Sequence, residues 1–356
     1  MQQPLFAGVS MLDFMKEKES SWEKIKKSGL PAVIYGMGNG ADKVIDEFQR
    51  LGIEIKGVTA SDSFVRGQTF RGFKVKKLSE FDGEFIIAVA FASSIPEVMN
   101  HIYFLSEKYN VIVPVVPVFG SEIFNKDFIE MHSSEIEKAY DIIEDESKPV
   151  FAGCVDFMFG GNLNILKEIT TDKNEIFNGI FKLSENEDYL DLGAYKGDTI
   201  DELLHYTNGK YNSITALEPD EKTFRKLCIH NENLKYCENF NKAIYSEAGE
   251  ICFDSAAGRQ SSISDKGKTV ETVSIDELNK PFSYIKMDVE GAEYEAILGG
   301  RETLGKYKPK LNIALYHRSE DIFRLLLLIK SLNPEYKIYI RRHPYIPCWD
   351  MNLYCI

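Results

Sequence analysis

The stretch Asp191-Leu192-Gly193-Ala194-Tyr195-Lys196-Gly197-Asp198-Thr199 decides the fold of this chain. Residues 187–192, which lead into it, form a short extended segment, and residues 199–204, which follow it, carry apolar side chains at helical spacing. A strand, a glycine turn and a helix are the unit from which parallel α/β sheets are built, and the turn of that unit often binds nucleotides. The stretch therefore predicts an α/β fold with a nucleotide-type ligand at the turn.

An acid follows the next predicted strand, 213–217, at the spacing that such a site requires. Glu218 lies about 20 residues beyond Gly197, the distance at which a carboxylate meets ribose hydroxyls in a Rossmann-type site. The turn has two glycines, Gly193 and Gly197, instead of the three of a dinucleotide loop, and Asp191 stands in front of them. A ligand with a ribose, an amine-bearing tail and no phosphate suits this pattern, and S-adenosylmethionine is such a ligand. The alternative is an ordinary βα turn in which the glycines serve turn geometry and the acids serve as caps.

Length, charge and cysteine spacing limit the classes of protein to which this chain could belong. A chain of 356 residues is long enough for two domains, and a net charge of −13 opposes binding to nucleic acid. The six cysteines form no C-x-x-C pair, which argues against a zinc site or a disulfide framework. The start, Met1-Gln2-Gln3-Pro4, lacks the layout of a signal peptide, and no apolar run is long enough to span a bilayer. We expect a cytoplasmic protein without a membrane span.

The first domain is predicted to cover residues 1–130. Its strand 31–35 is followed by Gly36-Met37-Gly38-Asn39-Gly40-Ala41, which matches G-x-G-x-x-A, and by a helix over 42–51. The position that should carry the ribose-binding acid is Thr59. The pattern therefore indicates a small Rossmann-like accessory domain and leaves nucleotide or partner binding open.

An acidic connecting helix within 131–150, ended by Pro149, is predicted to lead into a second α/β domain over 151–356. In that domain Asp191, Glu218, Asp288 and His317 all fall at predicted strand ends. Because ligands of open α/β sheets bind beyond the carboxyl ends of the strands, these side chains should converge.

The chemistry predicted for this edge is methyl transfer to a hydroxyl, which requires positioning and removal of a proton. His317 is the predicted general base, since imidazole titrates near neutral pH, with a structural histidine as the alternative. Asp288 is predicted to face the reacting groups, with a helix N-cap as the alternative. Glu290 and Glu293 are expected to favour the dipole of the helix that they open.

Two further possibilities stay open at this stage. No metal is predicted, but Asp288, Glu290 and His317 could together hold a divalent ion. Arg341, His343 and Trp349 lie between the last two predicted strands, where they either touch an acceptor or belong to an exposed hairpin.

Three blocks carry a resemblance to a known family: Asp191 to Asp198, Glu218-Pro219, and Lys286-Met-Asp-Val-Glu-Gly-Ala-Glu293 continuing to Gly300. Over about residues 133–356 the chain resembles the FkbM family of S-adenosylmethionine-dependent methyltransferases, although Tyr195 and Lys196 replace an Asn-x pair common in that family. The resemblance implies a class I methyltransferase sheet that ends in an antiparallel hairpin. It also implies a cofactor, S-adenosylmethionine, held by the following residues: Asp191, Gly193, Ala194, Gly197 and Glu218.

The function expected from residues and resemblance together is O-methylation of a sugar, glycan precursor or natural product, within glycan biosynthesis. The partner is then a small-molecule or saccharide acceptor, and a homo-oligomer is left open. The competing hypothesis is an NAD- or nucleotide-sugar-binding protein with a non-catalytic second domain. It draws its support from Gly36–Ala41, and the threonine at position 59 weakens it.

Overall fold

The computed structural model describes residues 11–13, 17–254, 262–263 and 268–356. The start of the chain, on which the expectation of no signal peptide depends, lies outside these residues. The chain divides into two compact units. Unit 1 contains Met1–Tyr140, Lys148–Thr170 and Arg342–Asp350, and unit 2 contains Asp141–Ser147, Thr171–Arg341 and Met351–Ile356.

Unit 1 is built on a six-stranded sheet in the order β3-β4-β2-β1-β5-β6. The pairs β1–β2, β1–β5, β2–β4 and β5–β6 are parallel, and β3–β4 is antiparallel. Its strands are β1 (Ala32–Tyr35), β2 (Ile55–Thr59), β3 (Thr69–Phe70), β4 (Phe73–Lys76), β5 (Ile86–Val89) and β6 (Asn110–Ile112). The helices of this part of the chain are α1 (Ser21–Ser28), α2 (Asn39–Leu51), α3 (Pro96–Lys108), α4 (Lys126–Asp141), α5 (Lys148–Gly160) and α6 (Leu163–Glu168).

The glycine turn of unit 1 joins β1 to α2, as predicted. Gly36 has a φ of 135°, and a Cβ there would lie 3.0 Å from the carbonyl oxygen of Ala90 after β5. Thr59 ends β2 fully buried, and its hydroxyl donates to the carbonyl of Lys76 at 2.9 Å. The residue at the ribose position is therefore engaged within the sheet itself.

The region of the predicted connecting helix contains two helices. Helix α4 ends at Asp141, and α5 begins at Lys148 after a short 3₁₀ turn, Asp145–Ser147. Pro149 lies in the first turn of α5 instead of ending a helix. Proline is tolerated there because the first amides of a helix have no intrahelical acceptor.

Unit 2 is built on a seven-stranded sheet in the order β16-β17-β15-β14-β7-β8-β9, with a separate four-stranded sheet in the order β10-β13-β11-β12. Its strands are β7 (Asp188–Leu192), β8 (Ser213–Leu217), β9 (Cys237–Phe240), β10 (Ala243–Ile244), β11 (Gly249–Asp254), β12 (Ser262–Ile263), β13 (Lys268–Val273), β14 (Tyr284–Met287), β15 (Lys310–Ala314), β16 (Ile338–Arg342) and β17 (Met351–Cys355). Its helices are a π-helix (Glu175–Phe181), α7 (Asp198–Tyr206), α8 (Glu221–His230), α9 (Glu293–Leu298), α10 (Arg301–Tyr307) and α11 (Asp321–Leu332).

The central strands β7, β8, β14 and β15 are parallel and almost wholly buried. Continuous burial is typical of parallel strands, because helices cover both faces of such a sheet. The last strand, β17, inserts antiparallel to β15, with β16 outside it. The predicted class I methyltransferase sheet with its antiparallel terminal strands is thus confirmed.

Arg341 lies within β16 and His343 directly follows that strand, so Arg341 is not part of a connecting hairpin loop. Arg341 is 2% exposed and His343 is 1% exposed. The guanidinium of Arg341 donates to the Ser147 hydroxyl at 2.9 Å and to a Glu175 oxygen at 2.6 Å. These partners lie far away in sequence, so the local pattern gave no sign of them.

Within residues 17–254 and 268–356, every helix is too short or too polar to cross a bilayer.

Candidate active site

The turn between β7 and α7 is fixed by a close approach of two backbones. Gly193 has a φ of 78°, a conformation that favours glycine, and a Cβ there would lie 1.9 Å from the carbonyl oxygen of Asp288. Asp288 directly follows β14, the neighbour of β7 in the sheet. Glycine is therefore required at position 193 so that the turn can lie against the end of β14.

The same turn is also tied to β8 on its other side. The amides of Gly193 and Ala194 both donate to the carbonyl of Leu217, at 3.1 Å and 3.0 Å. Gly197 has a φ of 97°, and a Cβ there would lie 2.3 Å from the ring of His230. The turn is thus held in one conformation before any ligand arrives, which is the pre-organisation that tight ligand binding needs.

Glu218 follows β8 and its carboxylate reaches back to this turn. It is 7% exposed and accepts hydrogen bonds from the amides of Tyr195 at 3.0 Å and Asp220 at 2.9 Å. Burial raises the pKa of Glu218 to about 7, although both amide bonds oppose that shift. A carboxylate has about four acceptor positions, so two remain for the hydroxyls of a ligand.

Asp191 and Lys286 are register partners on β7 and β14, so their side chains lie on the same face of the sheet. Asp191 is fully buried, with one carboxylate oxygen accepting from the Thr199 hydroxyl. Its other oxygen, Oδ1, is 3.9 Å from the Lys286 ammonium and has no hydrogen-bond partner in the described part of the chain. Burial raises the pKa of Asp191 to about 6, against the opposing effects of Lys286 and Thr199.

Lys286 lies between the two acids at this edge. Its ammonium is 3.7 Å from Asp288 Oδ2, and the residue is 8% exposed. Burial by itself would lower the pKa of Lys286, but the carboxylates of Asp288 and Asp191 outweigh it and raise that pKa. Lys286 is therefore a permanent positive charge between the first turn and the end of β14.

His317, after β15, joins three carboxyl groups. Its Nδ1 lies 2.8 Å from Glu293, and its Nε2 lies 3.4 Å from both Asp288 and Glu290. Burial by itself would lower the pKa of His317, but Glu293 and then Asp288 outweigh it and raise that pKa to about 10. His317 is therefore protonated at neutral pH, and at 1% exposure it is out of reach of a solvent-side acceptor.

Two carboxylates of this group are more open than the histidine. The Asp288 side chain is 34% exposed and that of Glu290 is 30% exposed. Asp288 accepts from the Tyr316 hydroxyl at 3.0 Å, and Glu290 has a φ of 55°. The Lys286 and His317 charges outweigh the effect of burial and hold the pKa of Asp288 below its ordinary value, so Asp288 stays ionised.

The structure brings all the predicted residues of the site to one edge of the unit 2 sheet. Lys286 and Glu293 were missed as members of it. A lysine between two buried apolar residues of a strand was the available signal for Lys286, because such a charge needs a partner. Glu293 begins α9, as expected, but its carboxylate binds His317 and the Val289 amide.

Comparisons with known proteins relate the fold of this chain to methyltransferases. The model of the family described as Methyltransferase FkbM domain matches residues 191–340. The solved structure of methyltransferase FkbM from Methylobacillus flagellatus KT is similar over 97% of this chain and 97% of its own, with a TM-score of 0.74 and 17% identity. At that identity, the likeness shows the fold.

Fibrillarin from Aeropyrum pernix, solved with natively bound S-adenosyl-L-methionine, is similar over 50% of this chain and 70% of its own, with 11% identity. Its TM-score of 0.33 is too low to support an argument. A search of curated proteins found no match. The family match shows an FkbM methyltransferase domain over residues 191–340 of this chain, and the similar solved structure shows its fold.

Proposed function

We propose that the chain transfers the methyl group of S-adenosylmethionine to a hydroxyl oxygen of a small-molecule or saccharide acceptor. One observation carries the proposal. The glycine turn after β7, Glu218 after β8 and Asp288 after β14 lie at the same ends of three neighbouring strands, with the backbones of Gly193 and Asp288 in contact distance. In this proposal the turn after β7 holds the cofactor, and the partly exposed carboxylate of Asp288 lies beside it.

The residues of the turn fit the methyl donor. Gly193, Ala194 and Gly197 would let the backbone lie along the methionine part, and Glu218 would accept from the ribose hydroxyls. Asp191 Oδ1, buried without a hydrogen-bond partner in the described residues, is the atom that we assign to the ammonium group, directly or through water. An unsatisfied buried carboxylate oxygen is unfavourable, so a donor from the ligand would stabilise this position.

In the reaction the bond from the acceptor oxygen to the methyl carbon forms as the bond from sulfur to that carbon breaks. The products are a methyl ether and S-adenosylhomocysteine, and the hydroxyl proton, which becomes acidic as the new bond forms, passes to the Asp288 carboxylate and from there to water. We propose that Asp288 contacts the acceptor hydroxyl, because its side chain is open and ionised. His317 was predicted as the base, but its burial and its carboxylate partners favour a positioning role, in which it holds Asp288 in place.

The proposal is tested with a pool of hydroxylated sugars and glycan precursors and a methyl donor whose methyl group is deuterated. We expect release of S-adenosylhomocysteine that depends on one class of acceptor, with the label recovered on an acceptor oxygen by mass spectrometry. Asp288→Asn should lower the turnover by about 10²-fold or more while leaving donor affinity nearly unchanged. Transfer to nitrogen or carbon would contradict the assignment of a hydroxyl.

The affinity for the donor's ribose should depend on pH through Glu218. Protonation of Glu218 removes an acceptor, so binding should weaken as the pH falls through about 7, by up to about tenfold per pH unit. The suitable probe is 5′-methylthioadenosine, which keeps the ribose and lacks the titratable amine, measured by calorimetry from about pH 5.5 to about pH 8.5. Glu218→Gln should bind more weakly at the upper end and show little pH dependence.

The matched control is Glu221→Gln, at an exposed acid of α8 three positions further along the chain. It should keep the pH dependence of the wild type. If the affinity of Glu218→Gln depended on pH as steeply as that of the wild type, the assignment of Glu218 to the ribose hydroxyls would be wrong.

A further inference from the structure

Glu293, the first residue of α9, is a buried acid beside the site and out of reach of an acceptor. It is 1% exposed, whereas the Asp288 side chain is 34% exposed. Its Oε1 accepts from the Val289 amide at 2.9 Å and lies 2.8 Å from His317 Nδ1. Buried ion pairs add little net stability, because the cost of desolvation offsets their attraction. Stability alone therefore does not account for this pair.

The ring of His317 connects Glu293 to Asp288. Glu293 faces Nδ1, and Asp288 Oδ1 lies 3.4 Å from Nε2 on the other side of the ring. Burial opposes a charge on the ring, but Glu293 and then Asp288 outweigh it and raise the pKa of His317 to about 10. Both ring nitrogens therefore carry protons at neutral pH. The charges along this line alternate: negative at Glu293, positive at His317 and negative at Asp288.

Two further acids near the histidine are mainly protonated at neutral pH. Glu290 Oε2 lies 3.4 Å from Nε2, and Asp321, the first residue of α11, is 3% exposed. Burial raises the pKa of each to about 8, and for Asp321 the charge of Glu293 adds to that effect. Glu293 is therefore the acid that fixes the charge of His317 from the buried side.

Among the residues that the structure describes, side chains alone hold the Asp288 carboxylate. Tyr316 donates to its Oδ1 at 3.0 Å, His317 Nε2 lies 3.4 Å from the same oxygen, and Lys286 lies 3.7 Å from Oδ2. Side chains can change rotamer, so the carboxylate is only as well oriented as these partners. The hydrogen bond at one nitrogen of a histidine decides what the other nitrogen presents. Glu293 thus fixes what His317 presents to Asp288.

We propose that Glu293 is a positioning residue for methyl transfer, and that through His317 it holds the Asp288 carboxylate at the acceptor hydroxyl. The inference rests on the proposed function, in which Asp288 contacts that hydroxyl. Glu293 keeps the imidazole ring in one orientation, and the charge of the ring keeps Asp288 ionised and directed. This task is distinct from favouring the dipole of α9, the role expected from the sequence.

Glu293→Gln removes the charge and keeps the shape of the side chain. We expect turnover to fall by up to about 10²-fold, the cost of misplacing a catalytic group by about 1 Å. Affinity for S-adenosylmethionine should stay within about twofold, because Glu293 contacts neither Asp191 nor Glu218. As the pH falls, turnover in the variant should decline at a higher pH than in the wild type, since Asp288 has lost the cation that lowers its pKa. The matched control is Glu295→Gln, a partly exposed acid in the same turn of α9, which should leave turnover unchanged.

The charge of His317 is measured separately by NMR of the full chain with ¹⁵N-labelled histidine, without donor or acceptor. The His317 signals are assigned from their loss in His317→Gln. In the wild type both ring nitrogens should remain protonated up to about pH 9. In Glu293→Gln the ring should lose its proton at least about one pH unit lower. Glu293→Asp, which keeps the charge, should keep the proton and recover part of the turnover; it also carries the test if Glu293→Gln does not fold.

Turnover in Glu293→Gln equal to that of the wild type would overturn the inference and leave the proposed function standing. An equal loss in Glu293→Gln and Glu295→Gln would assign the effect to the helix dipole and overturn it as well. So would an unchanged titration of His317 in Glu293→Gln. Absence of methyl transfer by the wild type with every acceptor would instead contradict the proposed function, before any variant is compared.

Discussion

Gly193→Ala should abolish donor binding and lower the stability of the protein more than any other single methyl addition to the turn. A Cβ at this position would lie 1.9 Å from the Asp288 carbonyl oxygen. The backbone fixes the position of both atoms, so no side-chain rotation could relieve the overlap. The left-handed conformation costs a residue other than glycine about 1–2 kcal/mol. The overlap adds to that cost, so we expect a total loss of about 4 kcal/mol or more, which is exceptional for one substitution.

The matched control is Gly209→Ala, after α7. Gly209 has a φ of 75°, nearly that of Gly193, and a Cβ there would have no described atom within 4 Å. It therefore measures the backbone strain alone, about 1–2 kcal/mol, and should leave donor affinity unchanged. Stability is compared by urea unfolding and affinity by calorimetry. Equal losses in the two variants would mean that contact between the turn and β14 does not matter.

Lys286→Met should have the second largest effect. Lys286 is 8% exposed and lies 3.9 Å from Asp191 and 3.7 Å from Asp288, so its removal leaves two buried or half-buried carboxylates facing each other. Removal of one partner from a buried ion pair costs about 3–5 kcal/mol. At about 2–4 °C per kcal/mol for a domain of this size, the thermal transition should fall by roughly 10 °C. Donor affinity should fall as well, because Asp191 would lose the charge that keeps it ionised.

A lysine outside the site supplies the comparison. Lys280 pairs with Glu238 at 2.7 Å, but the two side chains are 30% and 60% exposed. Pairs in contact with solvent contribute about 0.2–1 kcal/mol, so Lys280→Met should shift the transition only slightly. Similar shifts in the two methionine variants, measured by calorimetric scanning in the same buffer, would show that Lys286 is not the central charge of this edge.

Much of the fold and of the site could be predicted from local pattern. A buried strand followed by a glycine turn and a helix has few structural alternatives, and in a parallel sheet every strand of that kind ends at the same edge. The predicted strand ends at Asp191, Glu218, Asp288 and His317 were therefore sufficient to bring these four residues to one edge of the sheet. Gly193 and Gly197 could also be predicted from the sequence, because a turn with a positive φ favours glycine at that position.

Contacts between residues that are distant in sequence could not be predicted from local pattern. His317 was expected to be free to take a proton, but Glu293, from another element, occupies its Nδ1. The grouping of residues 148–170 and 342–350 with unit 1 was equally hidden, since an apolar helix face does not show which core it joins. Sequence pattern thus placed the polar residues at the edge, and only the packing of elements showed which of them neutralise one another.

The most direct test is calorimetric titration of the full chain with S-adenosylmethionine, in the absence and in the presence of NAD, and with NAD alone. We expect one saturable site per chain for S-adenosylmethionine, at least tenfold weaker in Glu218→Gln at about pH 8, and no competition from NAD. Binding of NAD without heat from S-adenosylmethionine would contradict this expectation and favour the competing hypothesis of a nucleotide-binding protein with a non-catalytic second domain.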